Sequence, residues 1–182
     1  MSKKVFYDWN DVEGMVQEIL RQLQVNNWKP DYVVGLTRGG LLPAVLVSQY
    51  LDIPMHALKV SLRDGQDTES NTWMASDAFG YIPTEERLPS GTRYDPTYQR
   101  KILIIDDIND TGATIEWIKK DWPGGCLPDN PHWKRVWGNN VRFAVLVNND
   151  ASATTVDYSA KSINKTEVNQ WLVFPWEEWW YV

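Results

Sequence analysis

The chain has 182 residues, carries a formal net charge of −6 at pH 7 and contains one cysteine, two histidines and 11 tryptophans. That length suits one domain, 1–182, around a single core, the acidic balance argues against a nucleic-acid binder, which needs a basic face, and no apolar run approaches the roughly 18 residues of a membrane span. The lone Cys126 makes no internal disulfide, two histidines offer no metal cluster, and the first residues lack the apolar core of a signal peptide, so a reducing, cytoplasmic setting is expected.

In chain order, the spacing of Val12, Met15, Val16, Ile19, Leu20 and Leu23 predicts a helix over 9–24, capped by Asp8 or Asn10. The β-branched pair Val33-Val34 predicts a strand over 32–34. A Gly39-Gly40 turn follows, then a helix over 42–51 with Pro43 near its start, where the missing N–H costs little. Asp52-Ile53-Pro54 breaks that helix, and a strand over 55–62 comes next, with Lys59 and Arg63 as candidate phosphate partners. Between 64 and 100 the pattern changes: 64–72 is polar and without periodicity, and Pro83, Pro89, Gly91 and Pro96 punctuate the rest. A stretch of that kind is a functional lid or a tolerated surface insertion.

Ile102 to Ile105 read as a short buried strand that ends in two carboxylates, Asp106 and Asp107. A polar turn over 109–114 follows, then a helix carrying Ile115, Trp117 and Ile118 that Trp122-Pro123-Gly124-Gly125 should end. Cys126 and residues 128–140 read as loop with a short turn, and 141–147 as a buried strand. Repeated strand–helix units with buried strands predict an α/β fold: a central, mostly parallel sheet with helices on both faces. Ligands in such sheets gather at the carboxyl ends of the strands.

Both turns lie at such ends. Backbone amides and the positive end of a helix dipole favour an anion at the turn Asp110-Thr111-Gly112-Ala113-Thr114. Two acids ahead of it suit a diol or a metal-bound sugar. The turn Thr37-Arg38-Gly39-Gly40 offers one guanidinium among exposed amides, a fitting partner for a pyrophosphate. Other readings of these residues are a solvated strand end and a simple helix cap. Asp110-Thr111-Gly112-Ala113 also reads as the catalytic turn of a retroviral-type aspartic protease, which should follow an apolar residue in a β-rich chain. Here Asn109 precedes it and a helical pattern follows.

The run Ile102 to Thr114 resembles the signature of the type I phosphoribosyltransferases, and Thr37-Arg38-Gly39-Gly40 resembles their pyrophosphate loop. The resemblance implies a substrate, phosphoribosyl pyrophosphate (PRPP), bound with Mg²⁺ as cofactor. By it, Asp106 and Asp107 hold the ribose hydroxyls, directly or through the metal, and Asp110 to Thr114 wrap the 5′-phosphate. Arg38 and the loop amides meet the pyrophosphate, a non-proline cis peptide lies near Thr37-Arg38, and Asp110 sits near N7 of a purine as a possible general base. It also implies a lid over 64–100, a small C-terminal hood over 151–182, and a homo-oligomer, dimer or tetramer.

Gln170-Trp171-Leu172-Val173-Phe174-Pro175-Trp176-Glu177 resembles the end of xanthine-guanine and archaeal-type purine members. By that likeness Trp171 stacks on the base and the Leu172 backbone meets its edge, while Trp176, Trp179 and Trp180 pack the hood or an interface. The sequence departs from this pattern at one place. The 6-oxopurine members carry a lysine just after the strand over 141–147, where this chain has Asn148-Asn149-Asp150. Asn148, Asn149, Lys161 and Lys165 are the residues that could serve a base edge instead. The expected activity is ribose 5-phosphate transfer from PRPP to a purine. The alternatives are a PRPP-binding regulator without turnover, a transferase for a non-6-oxopurine acceptor, and a scaffold protein.

Overall fold

The computed structural model describes residues 3–62, 67–68, 72–82 and 93–181. In chain order the elements are β1 (Lys3–Phe6), α1 (Trp9–Val25), β2 (Tyr32–Leu36), α2 (Leu41–Leu51), β3 (Met55–Leu58), β4 (Val60–Ser61) and β5 (Asp67–Thr68). They continue with α3 (Thr72–Phe79), β6 (Ile102–Asn109), α4 (Ala113–Gly125), β7 (Val141–Asn149), β8 (Tyr158–Ile163) and β9 (Gln170–Val173).

The period-2 geometry of a strand makes β6 serve two cores at once. Ile102 and Ile104 pack with Val34, Phe143, Met74, Phe79, Ile118 and Trp122, under α3 and α4. Leu103 and Ile105 pack on the opposite face with Val33, Leu146, Val12, Ile19, Leu23 and Val47, under α1 and α2. Each such side chain stabilises the fold by roughly 1.5–3 kcal/mol through burial, and all four β6 residues are at most 1% exposed. The result is a five-stranded sheet in the order β3-β2-β6-β7-β8, with every neighbouring pair parallel. This is the expected α/β architecture.

At α1 the cap is Asp8, whose Oδ1 accepts from the Asp11 amide at 2.8 Å while Asp11 Oδ2 accepts from the Asp8 amide at 3.0 Å. The reciprocal pair satisfies two otherwise orphaned donors.

Several boundaries differ from the sequence reading. The strand expected over 102–105 runs on to Asn109, so both carboxylates lie within it. Pairing with β7 continues through Asp106, Ile108 and Asn109 and carries the strand forward. The helix α4 does end within Trp122-Pro123-Gly124-Gly125, at Gly125, with Pro123 in its last turn and Trp122 buried at 1% exposure. Cys126 is a buried cap residue rather than a loop residue, and its carbonyl accepts from Trp133 Nε1 at 2.8 Å. The strand expected over 55–62 divides at Lys59 into β3 and β4, which belong to different sheets.

Within the span read as irregular, α3 buries Met74, Ala75, Ala78 and Phe79 in the core. Those residues recur at helical spacing, and the prolines around them masked it. Residues 63–66, 69–71 and 83–92, with Arg63 and part of the expected lid among them, lie outside the described residues. Near the C-terminus β9 pairs in parallel with β1, Lys4 opposite Trp171 and Phe6 opposite Val173. A strand whose partner lies at the other end of the chain leaves little local signal. Among the described residues, no helix is long and apolar enough to cross a membrane.

Candidate active site

The carboxyl ends of β2 and β6 are neighbours in the sheet, and the turns that follow them share one cleft of about 550 Å³. Thr37, Arg38 and Gly39 line it after β2, Asp106, Asp107 and Asp110 to Thr114 from the end of β6 into α4, and Trp171, Leu172, Phe174 and Trp176 from β9 and the residues after it. Twelve of the thirteen residues that the resemblance assigned to PRPP or the base therefore line one cleft. Gly40 is the exception. It is buried, its amide donates to the Leu36 carbonyl at 2.9 Å, and a Cβ there would lie 2.2 Å from the Ile105 carbonyl oxygen. Its role is to let the loop rest on β6, a packing role rather than a contact with the cleft. The Thr37 amide is also engaged, donating to Leu58 at 3.0 Å. The peptide between Thr37 and Arg38 is cis, as the resemblance implied.

The turn after β6 is shorter than the sequence suggested. Asn109 still belongs to the strand, Gly112 is the N-cap with φ of +88°, and Ala113 and Thr114 begin α4. Positive φ suits glycine, and a Cβ at Gly112 would also lie 2.9 Å from Ser152 Oγ. A helix start in a parallel sheet is not the double-carboxylate turn of an aspartic protease, so that reading falls.

A buried polar network fixes the turn from behind. Asn109, 3% exposed, donates through Nδ2 to Asn148 Oδ1 at 2.9 Å and to the Thr154 carbonyl at 2.8 Å. Its Oδ1 accepts from Ser152 Oγ at 3.1 Å, and Thr154 Oγ1 donates to Glu116 at 2.6 Å. Asn148 and Asn149 thus serve structure rather than a base edge. Asn148 also donates to Asp150 at 3.1 Å, and Asn149, 7% exposed, donates to the Asp110 carbonyl at 2.9 Å.

Of the two candidate lysines, Lys161 sits on β8 with Nζ 4.7 Å above the Tyr7 ring, away from the cleft. Lys165 enters the cleft, and its Nζ lies 2.9 Å from Asp110 Oδ2. Lys59 does not line the cleft; Val60 and Leu62 do. Sequence reasoning also missed Ile108, Asn109, Glu177 and Glu178 as lining residues. Ile108 and Asn109 extend the acidic run and were findable; Glu177 and Glu178 arrive only through the pairing of β9 with β1. Trp171, 42% exposed, presents itself at the rim, and Trp176 stacks on Phe174 at 5.0 Å with the planes 1° apart.

Adjacent glycine-bearing turns at the carboxyl ends of neighbouring parallel strands put the cleft where α/β enzymes bind their ligands. The phosphoribosyl transferase domain model matches residues 4–181, and the chain belongs to that family of enzymes. It is 30% identical over 149 residues to the xanthine-guanine phosphoribosyltransferase of Cereibacter sphaeroides, covering 80% of this chain and 68% of that one. Identity to xanthine phosphoribosyltransferase 1 of Saccharomyces cerevisiae is 18% over 200 residues, covering 97% and 90%. Among solved structures, the purine phosphoribosyltransferase of Pyrococcus horikoshii superposes with a TM-score of 0.60 at 26% identity, over 96% of this chain and 95% of that one. The Helicobacter pylori xanthine-guanine-hypoxanthine enzyme shares the fold, with a TM-score of 0.64 at 17% identity over 98% and 96%.

Proposed function

We propose that the protein transfers ribose 5-phosphate from PRPP to N9 of a purine base and releases pyrophosphate. The observation that carries this reading is the convergence of both anion turns and Trp171 on one cleft. In it, the amides of Thr111 to Thr114 and the α4 N-terminus hold the 5′-phosphate. Asp106 and Asp107 orient the ribose hydroxyls. Arg38 and the neighbouring Gly39 backbone take the pyrophosphate as negative charge develops on it. Asp110 receives or steers the proton of the base, Trp171 stacks on its face, and the Leu172 backbone meets its edge.

Among the described residues no cluster of three acids or histidines could cage a metal. Two adjacent carboxylates on the cleft floor suit Mg²⁺, which binds through one or two carboxylates together with substrate oxygens. Asp106 and Asp107 would hold it, and when bound it would neutralise charge on the leaving group. The domain is read as one unit, 1–182, with 151–182 supplying the base side, in a cytoplasmic setting. Assembly into a dimer or tetramer is supported by the exposed aromatic side chains of Phe6, Trp9 and Trp179, and light scattering would read it.

The test is pyrophosphate release from PRPP and Mg²⁺ over a panel of purine and pyrimidine bases. Purine-dependent release, lost in Asp110→Ala, is expected. PRPP binding without turnover on any base would instead mark a sensor.

A further inference from the structure

The chain leaves β7 at Asn149 and doubles back behind the turn that joins β6 to α4. Asn149 shapes that return: its carbonyl accepts from the Ser152 amide at 2.8 Å and its Oδ1 from the Ala151 amide at 3.2 Å. The returning loop is tied to the turn at two successive peptides. Asn149 Nδ2 donates to the Asp110 carbonyl at 2.9 Å, and the Ala153 amide donates to the Thr111 carbonyl at 3.2 Å. The packing there is close, since a Cβ at Gly112 would lie 3.0 Å from the Thr154 nitrogen. Asn109 braces the same loop by donating to the Thr154 carbonyl at 2.8 Å. Thr111 and Gly112 line the cleft, whereas none of residues 149–154 does.

These ties set the direction of the turn's amides. In a planar trans peptide the carbonyl and the following N–H point opposite ways. An Asp110 carbonyl drawn toward the loop turns the Thr111 N–H away from it, and the Thr111 carbonyl does the same for the Gly112 N–H. Both donors then aim toward the cleft side, where the positive end of α4 also favours an anion. Donors fixed beforehand bind more tightly, because ordering them on binding costs affinity. We infer that Asn149 is a positioning residue of the transfer reaction. From behind the turn, together with the Ala153 amide, it fixes the Thr111 and Gly112 N–H groups for the 5′-phosphate of PRPP. This rests on the transfer reading above and deepens it. The turn after β2 is held elsewhere, through Thr37 and Leu58, so the pyrophosphate side does not depend on Asn149.

The experiment titrates ribose 5-phosphate and, separately, pyrophosphate with Mg²⁺ into the wild type, Asn149→Leu and Asn149→Asp by calorimetry. Leucine removes every side-chain hydrogen bond at this site. Aspartate is close in shape and keeps the acceptor for the Ala151 and Lys165 amides, losing only the donor to Asp110. It also keeps the test open should leucine disrupt folding. Both variants should bind ribose 5-phosphate roughly 5- to 50-fold more weakly, within what one unmet buried carbonyl costs. Pyrophosphate affinity should stay within about 2-fold of wild type, because its loop is anchored apart from Asn149. Equal losses on the two ligands would reduce Asn149 to a general structural residue. Full ribose 5-phosphate affinity in Asn149→Asp would show that the donated hydrogen bond sets nothing. Either result overturns the inference and leaves transfer in place. A wild type that binds neither ligand removes the transfer reading itself, and the inference with it.

Discussion

Gly39 rests directly on Asp107: a Cβ added to the glycine would sit 1.9 Å from the carboxylate Oδ2. The loop after β2 can reach the floor formed by β6 only because this position has no side chain. Any substituent must push the carboxylate or the loop aside. Gly39→Ala is therefore expected to weaken PRPP–Mg²⁺ binding by roughly 5- to 150-fold, since overpacking at such contacts costs about 1–3 kcal/mol. Titration calorimetry checks it, and wild-type affinity in the variant would show that the two turns can separate freely.

Gly14 is the opposite case. It lies on the exposed side of α1, and a Cβ there meets nothing within 4 Å. Gly14→Ala should raise stability by about 0.5–1 kcal/mol, by limiting the unfolded chain and favouring helix. Urea unfolding measures the gain, and a loss would contradict the open surface.

Two tryptophans should separate folding from binding. Trp122 is 1% exposed inside the α3–α4 core, whereas Trp171 is 42% exposed at the cleft rim. Trp122→Ala should destabilise by about 3–5 kcal/mol. Trp171→Ala should change stability by less than about 1 kcal/mol while raising the KM for the base. Equal stability losses in the two variants would refute the division.

The acid side of the stability profile should carry the mark of His132. Burial, helped by the positive charge of Arg135, holds its pKa below the ordinary histidine value. Its ring lies against Tyr94 at 3.9 Å and Phe79 at 5.2 Å. The folded state therefore binds this proton less readily than the unfolded chain. The stabilising contribution is whole above about pH 6.5 and is lost as pH falls through the lowered value. Thermal midpoints measured from about pH 7.5 down to about pH 5 should fall less steeply in His132→Gln than in wild type. Parallel slopes would show that His132 does not set the pH dependence.

The parts whose signals are local could be read along the chain. The apolar run Ile102 to Ile105 could only be a strand buried on both faces, and the face of Val12, Ile19 and Leu23 could only be a core helix. The two glycine-bearing turns at strand ends were legible for the same reason, because each needs only a few adjacent residues of the right type. Tertiary structure decided what depends on distant partners. Pairing with β7 carried β6 past its own carboxylates, and β9 became a strand because β1 lay beside it. Gly40 became a packing residue through contact with Ile105. Asn148 and Asn149 were drawn into the network behind the turn, and of two lysines four residues apart only Lys165 was led to Asp110. A side chain's type is set along the chain, but its partner is set by which backbone atoms the fold brings within hydrogen-bonding reach.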